Sequence, residues 1–416
     1  MSEVSCHIIT IGDEILYGHI LDSNSKWLSE EISLLGLKIS RKSTISDKYN
    51  DIKNSIDKST SKYNLTILTG GLGPTNDDIT KKCLNDYFKG KLILDNKTFN
   101  HIEKIFKKRN FDFTTKNKKQ ALVPDNCIVL HNQFGTAPGM LFKKNNNILI
   151  SLPGVPFEMK SLFEDKCVKI IKDKFKLPVI FHRIIKTVGI GESWLSDLIS
   201  DWEQNLDSNI SLAYLPSLGR VKLRLTSHGK NLKEIKSKVN IAEKSLIPLI
   251  EKYVFGYDSD ELENIIGKLL NRLKKNISIA ESCTGGYVSK LLTSVPGSSK
   301  YFKGSIIAYS NEIKIKSLGI SKDKISNFGA VSKEVVEEMA KNIKDKFNTS
   351  IGMASSGIAG PKGGTKDKPI GTVWIAIADK DRIISKKLKL TERRDLNIIL
   401  SSINLLNLLR IFLKKH

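Results

Sequence analysis

The chain has 416 residues, 40% of them apolar, with 67 lysines and arginines against 44 acidic residues and a formal net charge of +23 at pH 7. This length suggests two or three domains with real cores, and no run approaches the roughly 18 uninterrupted apolar residues of a membrane span. The five cysteines are scattered with no C-x-x-C pair, which argues against a disulfide framework or a cysteine zinc site.

The first fifteen residues, "MSEVSCHIITIGDEI", lack a basic region followed by an apolar core, so the expected compartment is the cytoplasm. The positive charge admits a nucleic-acid partner. The lysines, however, are spread thinly among Asn and Ile, with little arginine–aromatic interleaving and no visible base-reading module, so nucleic acid is disfavoured.

Residues 1–170 alternate strand-like and helix-like segments. "CHIITIG", "LTILTGG" and "NILISLPG" are buried strands ending in Gly or Pro-Gly turns, and "SNSKWLSEEISLLGL" has helical period, with Trp27, Leu28, Ile32 and Leu35 on one face. This pattern predicts an open α/β sheet, whose ligands sit beyond the carboxyl ends of the strands. Residues 171–256 predict a small α+β connector, with clean alternation in "RVKLRLTSHG". Residues 257–416 return to α/β, opening with a helix over "SDELENIIGKLLNRLKKN" for which Ser259 is the expected N-cap.

Two strand ends in the first segment carry chemistry. In "TGGLGPTNDDITKK" the glycines Gly70, Gly71 and Gly73 let backbone N–H groups face an anion, and Thr69, Thr75 and Asn76 add hydrogen-bonding groups. Asp77 and Asp78 could hold a hydrated divalent cation beside a phosphate. The bland alternative is a capped strand-to-helix turn. Asp13 and Glu14 follow the first strand and suggest a metal or polar ligand, while Asp22 or Ser23 could simply cap the next helix.

The third segment holds "AESCTGG". A helix beginning near Thr284 would offer N–H groups and a positive dipole end to an anion or a developing oxyanion. Ser282 at that edge is a plausible nucleophile if a base lies nearby. The local motifs offer no histidine, and the candidate bases are Tyr309 and Lys314. A lysine can act as a base only when desolvation or a neighbouring cation lowers its pKa; otherwise Lys314 lies on the solvated face of a helix starting at Asn311. "ASSGIAGPKGGTKDKPIG" is a second Gly-rich loop, in which Ser355, Ser356 and Gly357 could bind phosphate or ribose oxygens, or a long hairpin connection. Arg393 and Arg394 precede the last helix, where either could reach a phosphate.

The ordered motifs "IGDEIL", "TGGLGPTNDDIT", "GTAPGM", "LPGVPFEM", "GIGES", "AESCTGG", "GSSKYFKGSIIAYSNEIK" and "SSGIAGP" closely resemble the CinA family of competence/damage-inducible proteins along nearly the whole chain. The resemblance implies a molybdopterin-binding-like domain linked to ADP-ribose hydrolysis with a divalent cation (Mg-like) and potassium. It further implies a KH-like connector and a C-terminal nicotinamide-nucleotide amidohydrolase. That enzyme converts nicotinamide mononucleotide and water to nicotinate mononucleotide and ammonia, in pyridine nucleotide salvage and without a cofactor. A homodimer is also implied. Carried over, Ser282 matches the nucleophile, Lys314 its activating lysine and Tyr309 the tyrosine beside them. Ser299 and Ser356 fall near the substrate amide or ribose, and Arg394 near its phosphate. The turn with Thr284, Gly285 and Gly286 falls at the oxyanion. In the first domain the resemblance marks "TGGLGPTNDD" as the phosphate loop, with Asp77, Asp78 and Asp13 as metal candidates. Two other readings stay open: a pterin- or nucleotide-binding protein without N-terminal catalysis, and a basic nucleic-acid-associated protein.

Overall fold

Ser5–Ile11 (β1), Lys38–Ile45 (β2) and Leu65–Thr69 (β3) form the parallel heart of a six-stranded sheet. A two-stranded pair follows, Leu92–Leu94 (β4) with Leu122–Pro124 (β5), and then Ile128–Leu130 (β6), Gly139–Lys144 (β7) and Asn147–Leu152 (β8) complete the large sheet. Its order is β2-β1-β3-β8-β7-β6, with β6 and β7 as an antiparallel edge. β1 and β3 are buried almost throughout, as a sheet covered on both faces requires. The helix Ser23–Leu34 lays Leu28 and Ile32 into one core and is capped by Asp22, whose carboxylate accepts from the Ser25 amide.

The computed structural model describes residues 4–414, in two compact units: 4–180 with 228–232, and 181–227 with 233–414. The break expected at residue 170 falls inside the helical run Pro156–Lys174, and the first unit continues to Ile180. Phe163, Cys167 and Ile171, four residues apart and fully buried, carry the apolar stripe through that position.

In the second unit, Val179–Val188 (β9), Ile210–Ser217 (β10), Arg220–Gly229 (β11) and Val254–Tyr257 (β12) form a sheet of order β10-β11-β9-β12. The strands Ile277–Glu281 (β13), Phe302–Ile307 (β14), Ile351–Gly357 (β15), Thr372–Ala378 (β16) and Ile383–Lys389 (β17) form another, of order β14-β13-β15-β16-β17. Polar ties join these two sheets within the unit. Lys186 pairs with Glu261 at 2.7 Å, Arg220 reaches Glu261 and Glu263, and the buried Arg410 donates to the Val254 and Lys252 carbonyls at 2.9 Å. The helix Leu262–Arg272 starts after Glu261 rather than at Ser259, and Glu261 spends its carboxylate on these cations instead of capping.

The last helix, Arg394–Lys414, is long and apolar enough to cross a membrane by length and composition, yet most of it is buried inside the fold. It packs on the helices Leu262–Arg272 and Tyr287–Thr293, and on β15 and β16. An all-round apolar helix of this kind belongs to a core.

β15 runs against the helix Lys333–Lys346 at Gly352, where an added Cβ would lie 1.9 Å from the Ala340 carbonyl oxygen and 2.7 Å from the Lys344 Cβ. Gly352→Ala therefore forces helix and strand apart, and urea denaturation should show a loss of about 2–3 kcal/mol, the usual cost of overpacking.

Candidate active site and N-terminal cavity

β13 is the point where the chain first turns to one neighbour, β14, and later to the other, β15, and both pairings are parallel. Such a reversal opens a crevice beyond the strand ends. Ser282 follows β13 there, Ala308 and Tyr309 follow β14, and Ser355, Ser356 and Gly357 end β15. Backbone bonds lock the three ends: the Ser282 amide donates to the Ser355 carbonyl at 3.1 Å, and the Ala308 amide to the Glu281 carbonyl at 2.7 Å.

Lys314 sits on the helix Asn311–Leu318, whose N-cap Ser310 accepts from the Ile313 amide. The helix starts where expected, but Lys314 points inward and is only 2% exposed. Its Nζ lies 3.0 Å from Ser282 Oγ, 2.8 Å from the Ala308 carbonyl oxygen and 3.5 Å from that of Tyr309. No carboxylate among the described residues pairs with it, so burial lowers its pKa below the ordinary 10.5. Nζ can donate to all three oxygens; in its neutral form it would serve the two carbonyls with N–H bonds and turn its lone pair to the Ser282 hydroxyl. No histidine contacts either residue among the described residues.

The turn after Ser282 differs from the expected one. The helix begins at Tyr287, not near Thr284, and has seven residues. Its free amides are already occupied: the fully buried Glu281 carboxylate accepts from the amides of Gly286, Val288 and Ser289 at 2.9–3.2 Å, and from the Ser289 hydroxyl at 2.6 Å. The Gly285 amide donates to the Ser282 carbonyl and the Tyr287 amide to that of Thr284. The amides of Cys283 and Thr284 are thus the ones that none of these bonds uses. Gly285 and Gly286 adopt φ of 57° and 96°, which explains two consecutive glycines. The role of Glu281 was missed in the sequence, where it reads as the last residue of a strand.

Ser355, rather than Ser356, supports the turn, with its hydroxyl 2.7 Å from that of Thr284. Ser356 is buried and donates to the Ala330 carbonyl, holding a neighbouring loop. A Cβ on Gly357 would meet Val373 at 2.5 Å and the Cys283 sulfur at 3.0 Å, so this glycine is there for close packing. Burial pushes the Cys283 thiol up to about 12, which leaves Ser282 without a competing thiolate. The Tyr309 hydroxyl does not reach Ser282. It accepts from Arg394 at 2.6 Å, and the same guanidinium donates to the Gly360 carbonyl at 2.9 Å. Arg393 is instead paired with Asp395, so Arg394 is the arginine fixed at the mouth of the site. Ser299 is exposed on the short turn Ser298–Lys300 and makes no hydrogen bond to this cluster.

The glycine turn of the first unit lies at the analogous reversal, where β1 stands between β2 and β3. A cavity of about 260 Å³ there is lined by Thr69, Gly70, Gly71, Gly73, Asp77 and Asp78, together with Glu14, Asn24 and Asp47. Gly70 and Gly71 are needed for close approach: added Cβ atoms would lie 2.2 Å from the Ile11 carbonyl oxygen and from Thr80 Oγ1. Thr69 is not free, since its hydroxyl donates to the Pro153 carbonyl and accepts from Asn24.

Thr75 and Asn76 lie outside the wall, and Thr75 is bonded to Asp78. Asp13 also lies outside the wall, with Glu14 taking its place. Among the described residues no three His, Cys, Asp or Glu side chains come close enough to share a metal ion, and of the three candidates Asp77 and Asp78 line the cavity. Asp47 was missed because it arrives on the segment after β2, which carries no motif. Burial and the nearby Glu14, Asp13 and Asp77 carboxylates raise its pKa.

Comparison with known proteins covers the whole chain. A family model for a probable molybdopterin binding domain matches residues 7–173, one for the damage-inducible protein CinA KH domain matches 182–256, and one for the CinA C-terminal domain matches 259–413. A CinA-like protein of Cytophaga hutchinsonii is 49% identical over 414 residues, covering 100% of this chain and 99% of that one. A CinA-like protein of Flavobacterium psychrophilum is 45% identical, covering 93% of each chain. A putative competence-damage inducible protein of Halothermothrix orenii is 40% identical over 94% of each. With the α/β architecture and these matches end to end, the chain belongs to the CinA family.

Proposed function

We propose that the C-terminal domain is a serine–lysine amidohydrolase that converts nicotinamide mononucleotide and water to nicotinate mononucleotide and ammonia. The observation that carries the reaction class is the buried contact of 3.0 Å between Lys314 Nζ and Ser282 Oγ, without an acidic partner for the lysine. The choice of substrate rests on the match of "ESCTGG" and "YSNEIK" to the family's amidohydrolase motifs.

In this reading neutral Lys314 takes the hydroxyl proton as Ser282 Oγ bonds to the carboxamide carbon. The carbonyl π electrons move to oxygen, which faces the amides of Cys283 and Thr284. When the tetrahedral centre collapses, the C–N bond breaks, Lys314 returns the proton to the leaving nitrogen, and ammonia departs. A water molecule then repeats the sequence. Lys314 deprotonates it, it attacks the acyl carbon, and the ester bond to Ser282 breaks as the proton returns to Oγ. Arg394, held by Gly360 and Tyr309, lies where an anionic phosphate can be gripped at the mouth.

Purified protein should release ammonia from nicotinamide mononucleotide with chelator present, and Ser282→Ala and Lys314→Met should each lower kcat by about 10³-fold or more, roughly 4 kcal/mol of barrier. Undiminished turnover in Ser282→Ala would remove the nucleophile from the scheme.

Because the neutral amine is the base, kcat should rise with pH as Lys314 loses its proton. The half-maximal point should lie below 10.5, and activity should fall on the acid side. A kcat–pH profile that climbs only with ordinary lysines would contradict the assignment.

Glu281→Gln keeps the shape but replaces one acceptor oxygen with an N–H donor facing an amide. It should lower kcat by about 10–100-fold, roughly 1.4–2.8 kcal/mol, with KM little changed, since it shifts the turn rather than the substrate grip. Steady-state kinetics on the folded variant check this.

A further inference from the structure

The carboxyl edge of the first sheet carries a second cavity of about 290 Å³ at its other end, beyond β6 and before β7. β6 runs antiparallel to β7 and β7 antiparallel to β8, so β6 points the same way as β1 and β3 and its trailing loop leaves from the same edge as the glycine turn. The two cavities have opposite chemistry. Glu14, Asp47, Asp77 and Asp78 line the first, and a bare phosphate there would face carboxylates. Lys97, His101, His131 and Lys166 line the second, and no carboxylate is among its lining residues.

The second cavity is built rather than incidental. His131 Nε2 is held 3.0 Å from Asp95, which is itself fixed by accepting from the Thr98 amide at 2.8 Å. This arrangement fixes the orientation of the ring at the cavity wall. His101 Nε2 is enclosed with no hydrogen-bond partner, which is uncommon for a buried polar atom. The loop behind them is rigid. Buried Asn132 accepts from the Phe134 and Gly135 amides and donates to the Ala137 carbonyl and to Glu158. A Cβ on Gly135 would lie 1.9 Å from Glu158 Oε2, so the loop is tied tightly against the neighbouring helix.

We propose that this cavity is a binding site for the phosphate or pyrophosphate group of a small metabolite, with the anion held by His101, His131, Lys97 and Lys166. No divalent cation is needed there, because the protein supplies the positive charge. The site is separate from the amidohydrolase centre and stands or falls independently of it.

The test is calorimetric titration of the full chain with inorganic pyrophosphate, in chelator and at fixed ionic strength. Four variants are compared with the wild type: Lys97→Ala, on an exposed position, His131→Gln, the double variant His101→Gln/His131→Gln, and Asp77→Asn in the acidic cavity. Melting curves and ammonia release confirm that each is folded. Expected are saturable binding by wild type, at least threefold weaker binding in Lys97→Ala, at least tenfold weaker binding in the double variant, and no change in Asp77→Asn. Three results would overturn the proposal: no binding by wild type, binding that Lys97→Ala and the histidine variants leave intact, or binding tightened by Asp77→Asn, which would place the probe at the glycine turn.

Discussion

A lysine amine can serve as a base toward a serine hydroxyl only if water and counter-ions are kept from it, and much of the C-terminal site follows from that requirement. Lys314 is enclosed, its N–H bonds are given to two carbonyls at the end of β14, and no acid among the described residues pairs with it. The enclosure depends on three parallel strand ends meeting at one point. β13 delivers Ser282, β14 delivers the carbonyls, and β15 delivers the Ser355 carbonyl and hydroxyl that fix the Ser282 backbone and Thr284. The only carboxylate in the turn, Glu281, is fully committed to four donors, so it holds the turn's shape. Charge-assisted bonds of this kind are roughly twice as strong as neutral ones, and they keep two glycines at positive φ in a single conformation.

Each of the two α/β sheets puts its candidate site at the strand where the chain reverses direction across the sheet, β1 in one and β13 in the other. The geometry is shared but the electrostatics diverge. The β13 site is closed and nearly free of unpaired charge, which suits proton transfer between neutral groups. The β1 cavity gathers carboxylates, and burial with the neighbouring Glu14, Asp13 and Asp77 charges raises the pKa of Asp47. The basic cavity beyond β6 complements it on the same edge. One sheet edge thus offers surfaces of both signs, and an anionic ligand meets a favourable field at one of them.

Much of this was legible in the sequence. The parallel strands showed as continuous apolar runs, the Asp22 cap as Asx before a helical period, and Ser282 as a hydroxyl where a strand gives way to glycines. Lys314 was legible only through the family resemblance, because one lysine among many in a lysine-rich chain carries no local sign of burial. Burial came from the meeting of strands distant in sequence. The same cause hid Asp47, which reaches its cavity from the far side of β1, and the capping role of Glu281, whose acceptor pattern spans a turn, not a periodic element. Ser356 and Tyr309 were placed at the correct strand ends, but their hydroxyls turned to Ala330 and Arg394, a side-chain choice that spacing does not encode. The boundary at residue 170 failed because a helix ran through it on an apolar stripe with spacing of four.

The most direct measurement of the central claim is the ionisation of Lys314 itself, followed by NMR of protein labelled at the lysine side chains, with Lys314→Met used to assign the signal. The account predicts that the Lys314 signal titrates below the ordinary 10.5 and below the signals of the exposed lysines. A Lys314 signal that titrates together with the exposed lysines would contradict it, since a charged amine has no lone pair to give to Ser282.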